Sequence, residues 1–358
     1  MKRNLWGVVI VAIAIIGVIA GGLVHSLNPP AKQTAQSRIK QQPNKKPVKK
    51  TSQSSAKTQV NQPPTPSRVV SKVLYSPQLH RNWRYRVYLP RNYQRLKSQG
   101  THFPVIYMLH GLYGDETNLT AQAHSKAYLD QLVTQKHLPV VAIFPDGGNS
   151  FYLNTTKEKL ENAMIDDLIP QTTKAYQLAG QSKRAIGGIS MGGYGAARLT
   201  FRHPHLFSVD ALISPAIWQK VPPTVQTNNQ IDAFKVNGTF SQQTFERAQP
   251  SRYLDSYLQQ EKAPAHFYIE TTALDTTVPI ADVNLFVKQL RQHQLKPTYQ
   301  VDHFGNHNWP YWNRALPNAY RYIFNQFKSQ RWVICQRVQI AGLKSAPMMF
   351  FVKTAATD

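Results

Sequence analysis

Ala185-Ile186-Gly187-Gly188-Ile189-Ser190-Met191-Gly192-Gly193-Tyr194-Gly195-Ala196-Ala197 reads as an apolar β-prone strand, a sharp turn at a serine and a small-residue stretch compatible with a helix. Its centre, Gly188 to Gly192, fits G-x-S-x-G. Glycines flank the serine because a strained strand-to-helix turn leaves no room for side chains there. The new helix directs its first N–H groups toward negative charge that forms beside the hydroxyl. G-x-S-x-G alone also occurs in plain tight turns; the strand before it and the helix after it point to Ser190 as a nucleophile.

Outward from this turn the sequence alternates. Phe103 to Leu109 and Val140 to Phe144 are continuous apolar runs bounded by Gly and Pro, as expected of parallel strands buried on both faces. A helix-compatible stretch with Leu129, Leu132 and Val133 separates them, and another runs from Leu160 to Tyr176. Further strands are expected at Val209 to Ile213, Phe267 to Ile269 and Tyr299 to Val301, and an antiparallel pair, Val73 to Tyr75 and Tyr85 to Leu89, opens the unit. The pattern predicts an α/β fold with a mainly parallel sheet and helices on both faces. Residues 216 to 262 read as a polar, irregular insertion over the site.

A serine hydroxyl is a poor nucleophile until a base takes its proton and a third group fixes that base in one tautomer. Phe304-Gly305-Asn306-His307-Asn308-Trp309 places His307 in a Gly-Asn turn just past a strand; His303 is the competitor, while His203 and His205 look like helix-end residues. For the acid, Asp275 follows a strand end, where ligand-facing loops of open α/β sheets lie. Glu270 and Asp282 are the alternatives. The oxyanion donors are expected to be the N–H of Met191, directly after the serine, and that of Leu112 in His110-Gly111-Leu112-Tyr113-Gly114. His110 has no second ligand at zinc-like spacing, so neither a metal nor a cofactor is expected. Trp309 and Trp312 are expected to pack the start of the following helix.

The ends of the chain carry a different signal. Leu5 to Val24 runs 20 residues without a charge, enough to cross about 30 Å of hydrocarbon as a helix. That is longer than the apolar core of a cleaved signal, so we expect an anchor at 5–24, a cytoplasmic residue 1–4 stub and an extracytoplasmic bulk. The formal charge of +24 comes mostly from the front: residues 1–114 hold 18 basic residues and none acidic, leaving 24 basic against 18 acidic. Residues 25–68, rich in Lys, Gln and Pro, read as a disordered linker that reaches roughly 40 Å as a coil or 140 Å as polyproline II. Its nine positive charges suit a solvated stalk or an arm on anionic lipid or wall polymer. No aromatics interleave them, which argues against nucleic acid. The globular unit is expected at 69–330. Cys335, the single cysteine, excludes an intramolecular disulfide, and the tail 331–358 suggests no role.

Taken together, Leu109-His110-Gly111-Leu112, Phe144-Pro145-Asp146-Gly147-Gly148, Asp167-Leu168-Ile169-Pro170, Gly188 to Gly193, Ala273-Leu274-Asp275 and Gly305 to Trp312 resemble the putative esterase family of α/β hydrolases over about residues 70–328. That family includes S-formylglutathione hydrolases, tributyrin and feruloyl esterases and antigen 85 mycolyltransferases. The resemblance implies the α/β-hydrolase fold and a cofactor-free serine esterase. Members more often show a glycine before the acidic pair, where this chain has Thr271-Thr272-Ala273-Leu274. Hydrolysis of an ester at the outer cell surface is the leading expectation. Acyl transfer to a surface sugar or lipid alcohol is the alternative, and a catalytically silent wall-binding protein a third.

Overall fold

A computed structural model describes residues 63–329. The apolar run at 5–24, the linker up to residue 62 and the tail lie outside the described residues. Among those described, no helix is long and apolar enough to cross a membrane.

Eight strands form one sheet: β1 (Arg68–Ser76), β2 (Arg81–Leu89), β3 (Val105–Leu109), β4 (Val141–Pro145), β5 (Arg184–Ile189), β6 (Val209–Ile213), β7 (His266–Thr272) and β8 (Thr298–Asp302). Their order is β1-β2-β4-β3-β5-β6-β7-β8. The β1–β2 and β2–β4 pairs are antiparallel and every other pair is parallel. The serine-bearing strand β5 thus lies in the interior of the sheet, between β3 and β6.

Both faces are covered, which is why the central strands are apolar without alternation. Val105, Tyr107, Leu109, Ile143, Ile186 and Leu212 point into one core, shared with α2 (Ile169–Tyr176), α3 (Met191–Arg202) and α4 (Ile280–Gln292). The intervening Ile106, Met108, Ala142, Ala185 and Ala211 point into the other, against α1 (Ser125–Lys136) and α5 (Trp309–Ser329). In α5, Leu316, Tyr320, Ile323, Phe324 and Phe327 recur at helical spacing and are all buried. Pro317 inside α5 cannot donate to the Asn313 carbonyl, and the Tyr128 hydroxyl donates to that carbonyl instead at 3.3 Å.

Two segments differ from expectation. The helix anticipated from Leu160 to Tyr176 is interrupted: a turn at Leu160–Asn162 passes into a π-helical stretch, Ala163–Leu168, before α2. Pro170 supplies no N–H to the carbonyl four residues back, so the ladder changes register there. The insertion at 216–262 is folded rather than irregular. It holds short helices at Pro223–Thr227, Gln242–Ala248 and Leu254–Gln260 and a small hairpin, Lys235–Val236 with Thr239–Phe240. Its anchor is a cluster of aromatics. The Phe234 ring lies 5.0 Å from Phe151, 5.3 Å from Phe245 and 5.8 Å from Tyr194. A few apolar residues dispersed among polar ones nucleate this layer, which local hydropathy does not reveal.

Candidate active site

Ser190 sits at φ 55°, ψ −117° between β5 and α3. A non-glycine residue at positive φ is strained, and the surroundings hold it there. Its N–H donates to the Ile213 carbonyl at 2.9 Å, and its own carbonyl accepts from Tyr194 at 3.0 Å and Ala216 at 3.0 Å. The flanking glycines are required by contact. A Cβ on Gly188 would lie 2.4 Å from the Gly192 backbone, and one on Gly192 would lie 2.3 Å from the Leu109 carbonyl oxygen.

The loops after β7 and β8 bring the other two expected residues to the serine. His307 Nε2 is 2.8 Å from Ser190 Oγ, and His307 Nδ1 is 2.8 Å from Asp275 Oδ2. The second Asp275 oxygen accepts from the N–H groups of Thr277 at 2.9 Å and Val278 at 2.8 Å. With Nδ1 donating to Asp275, Nε2 is the acceptor that faces the hydroxyl. Asn306 fastens the two loops together: its Oδ1 accepts from His307 N at 2.7 Å, Thr276 N at 3.0 Å and Thr276 Oγ1 at 3.1 Å. Gly305 makes the turn possible. Its φ is +80°, and a Cβ would come within 2.7 Å of the Tyr311 ring.

The turn after β3 packs directly on the nucleophile, since a Cβ on Gly111 would meet Ser190 Cβ at 3.5 Å. Neither the Leu112 N–H nor the Met191 N–H has a partner among the described residues. Both therefore remain available to an incoming oxygen. His110 braces this turn. Its Nδ1 donates to Gly111 O at 2.7 Å, its Nε2 accepts from Gly147 N at 2.7 Å, and Tyr152 Oη accepts from its backbone N–H at 3.0 Å. Burial lowers the His110 pKa and keeps the neutral ring this pattern needs. Neither His110 nor Asn306 stands out in the sequence as a residue that braces a site loop. The signal for both was adjacency, one beside each loop glycine.

The remaining sequence candidates are engaged elsewhere. Glu270 is buried with the Tyr268 hydroxyl at 2.5 Å, Asn318 at 3.1 Å and Gln300 at 3.2 Å. Asp282 accepts from the Gln219 N–H at 3.2 Å. His303 is exposed beyond the end of β8, His203 contacts Glu161, and His205 contacts Glu261.

A cleft of about 460 Å³ opens over Ser190 and His307. Leu112, Phe151, Trp218, Val225 and Trp312 give it apolar walls, and Tyr113 forms part of its rim. The Trp218 Nε1–H donates to Thr277 O at 2.9 Å, tying the insertion to the acid loop. Trp312 packs edge-on to His307 at 5.1 Å and also faces the cleft, so it does more than pack the helix start.

The family model described as "Putative esterase" matches residues 76–323. An endo-1,4-beta-xylanase/feruloyl esterase of Xylanibacter ruminicola is 32% identical over 136 residues, 36% of this chain and 19% of that protein. The chain thus spans about a fifth of the length of that relative. An acetyl esterase of Caldicellulosiruptor saccharolyticus is 26% identical over 268 residues, 70% of this chain and 95% of that protein. Among solved structures, a ferulic acid esterase superposes with a TM-score of 0.61 at 22% identity, over 74% of this chain and 99% of its own.

Proposed function

The chain belongs to the Putative esterase family, and from that membership we propose that it cleaves carboxylic esters through an acyl intermediate on Ser190. The observation that carries this reading is the continuous chain from Asp275 to His307 to Ser190, 2.8 Å at each link, at the floor of the cleft. In the first half-reaction His307 Nε2 takes the hydroxyl proton while Oγ bonds to the ester carbonyl carbon. The carbonyl oxygen becomes an oxyanion that accepts from the Leu112 and Met191 N–H groups, which the fold leaves without partners. Collapse expels the alcohol, protonated by His307, and leaves the acyl-serine. Water then repeats the steps in reverse, losing its proton to His307 and releasing the acid. Asp275 holds the tautomer and stabilises the imidazolium in both halves.

The apolar walls favour an acyl group larger than acetyl, such as an aromatic or medium-chain acid. The relative named as a feruloyl esterase falls within that range, and the one named as an acetyl esterase lies below it. The uncharged run at 5–24, long enough to cross a bilayer as a helix, supports a membrane anchor, and we place the hydrolase on the outer side. Protease shaving of intact cells tests this location, which fails if the domain is protected until the cells are lysed.

The test of mechanism uses full-length protein in detergent with p-nitrophenyl esters of graded chain length. Ser190→Ala should lose on the order of 10⁴ to 10⁶ in kcat and should no longer be labelled by a fluorophosphonate. Turnover or labelling at the wild-type level in the folded variant would reject Ser190 as the nucleophile.

A further inference from the structure

Phe151 lines the cleft, and Phe234, with its ring 5.0 Å away, lines a second cavity of about 160 Å³ under the insertion. Three cations, Arg198, Lys235 and Arg247, border this cavity against one carboxylate, Asp232. We propose that it is a binding site for an oxyanion, either a phosphoryl or a carboxylate group, separate from the hydrolytic centre.

Lys235 carries the argument. It is only 6% exposed, yet its ammonium, which has three donors, meets a single acceptor, the Asn228 carbonyl at 2.8 Å. Buried charges are normally paired, because removing an ammonium from water without a counter-charge is costly. Among the described residues no carboxylate lies within salt-bridge distance of Lys235. Asp232, the nearest in sequence, is engaged by Lys157 at 2.9 Å and by the Thr156 hydroxyl at 3.3 Å.

The other two cations strengthen the case. Arg198 is paired with buried Glu161 and lies 5.4 Å over the Tyr253 ring, so it adds positive charge beside the cavity. Glu161 is itself shared with Arg202 and His203, so it neutralises less than the charge around it. Arg247 stands exposed at the rim, and its guanidinium has no partner among the described residues. Donors left on Lys235 and Arg247, beside the positive charge of Arg198 and at a cavity large enough for a phosphate or a sugar carboxylate, select an anion with several acceptor oxygens. The Thr244 hydroxyl on the same lining offers a further hydrogen bond.

Full-length protein in detergent is titrated calorimetrically at low salt with inorganic phosphate, with D-glucuronate and with D-glucose as the neutral control. At least one anion should bind saturably and glucose should not. Phosphate alone would assign a phosphoryl ligand, and glucuronate alone a carboxylate. Arg247→Ala, which alters an exposed side chain and leaves the fold intact, and Lys235→Gln should each weaken binding by about tenfold or more. The basic linker could also attract anions, but that binding would survive both substitutions. No saturable binding by wild type, or equal binding by both variants, overturns the proposal. The readout needs no turnover and serves equally in a Ser190→Ala background, so its failure is distinct from failure of the esterase reading.

Discussion

Replacing Asp275 with asparagine changes one atom of the site and leaves the shape intact, yet the hydrogen bonds around it allow no good arrangement. Three N–H donors converge on its two oxygens: His307 Nδ1 at 2.8 Å, Thr277 at 2.9 Å and Val278 at 2.8 Å. The carboxylate is fully shielded from solvent, so water cannot replace a lost partner. If the new amide turns its NH₂ toward the backbone, two buried donors are left unsatisfied, at about 1–3 kcal/mol each. If it turns its oxygen there, the backbone is satisfied and the NH₂ faces His307. The imidazole then changes tautomer, so that Nδ1 accepts and Nε2 carries the proton. The second arrangement is favoured, and in it Nε2 points a hydrogen at Ser190 and cannot act as a base. The expected loss is on the order of 10⁴ in kcat, about 5.4 kcal/mol of barrier, with KM changed only a few fold. Steady-state kinetics on p-nitrophenyl acetate, with circular dichroism to establish folding, measure it. A loss below about a hundredfold would refute the tautomer argument. So would an equal loss on changing Glu270 or Asp282 to its amide.

Two further outcomes follow from the same geometry. His307→Ala should lose nearly all activity, whereas His303→Ala, altering an exposed side chain beyond β8, should keep at least a tenth, a difference in barrier of at most about 1.4 kcal/mol from wild type; the reverse ranking in kcat/KM would reject His307. Glu270 is expected to make stability pH-dependent: burial first, with nearby Asp302 adding to it, raises its pKa from 4.5 to about 7. The folded chain keeps a proton that the unfolded chain has lost, so Glu270's contribution is present below 4.5 and declines as pH rises through about 7, by up to roughly 3 kcal/mol. Glu270→Gln mimics the protonated acid, and its urea midpoint should exceed that of wild type at about pH 8 but not at about pH 4. A stability gap independent of pH would exclude Glu270 as the titrating group.

The parts of the fold legible in the sequence were those whose physics is local. A strand buried on both faces must be apolar at every position, so β3, β4 and β5 stand out as unbroken runs. The turn at Ser190 is legible because steric exclusion by the Leu109 carbonyl and the Gly192 backbone admits only glycine on either side. The π-helical stretch before α2 also had a local cause, Pro170, but a proline near the middle of an amphipathic pattern does not say which way the register will shift. The order of the insertion is hidden from local hydropathy because it comes from a few aromatics that close onto Phe151 and Tyr194, residues distant in sequence.

Asp275 was harder to read than Ser190 and His307 for a related reason. A serine nucleophile needs a particular backbone turn, and the base needs a loop with a left-handed glycine; both leave a mark on neighbouring residues. An orienting carboxylate needs only to arrive at the imidazole with its other oxygen satisfied. Three acids near the ends of β7 and α4 met every local criterion. What separates them is where their oxygens are already committed. Glu270 is consumed by Tyr268, Gln300 and Asn318, and Asp282 accepts from the Gln219 N–H and has no hydrogen bond to His307. Asp275 alone of the three has one oxygen fixed by two backbone donors of its own turn and the other aimed at His307. The same accounting applied to cations rather than acids identifies Lys235, among the described residues, as a buried charge without a carboxylate partner at the rim of a cavity. In both cases the informative quantity is the number of donors and acceptors already spent, which depends on residues brought together by the sheet and the insertion.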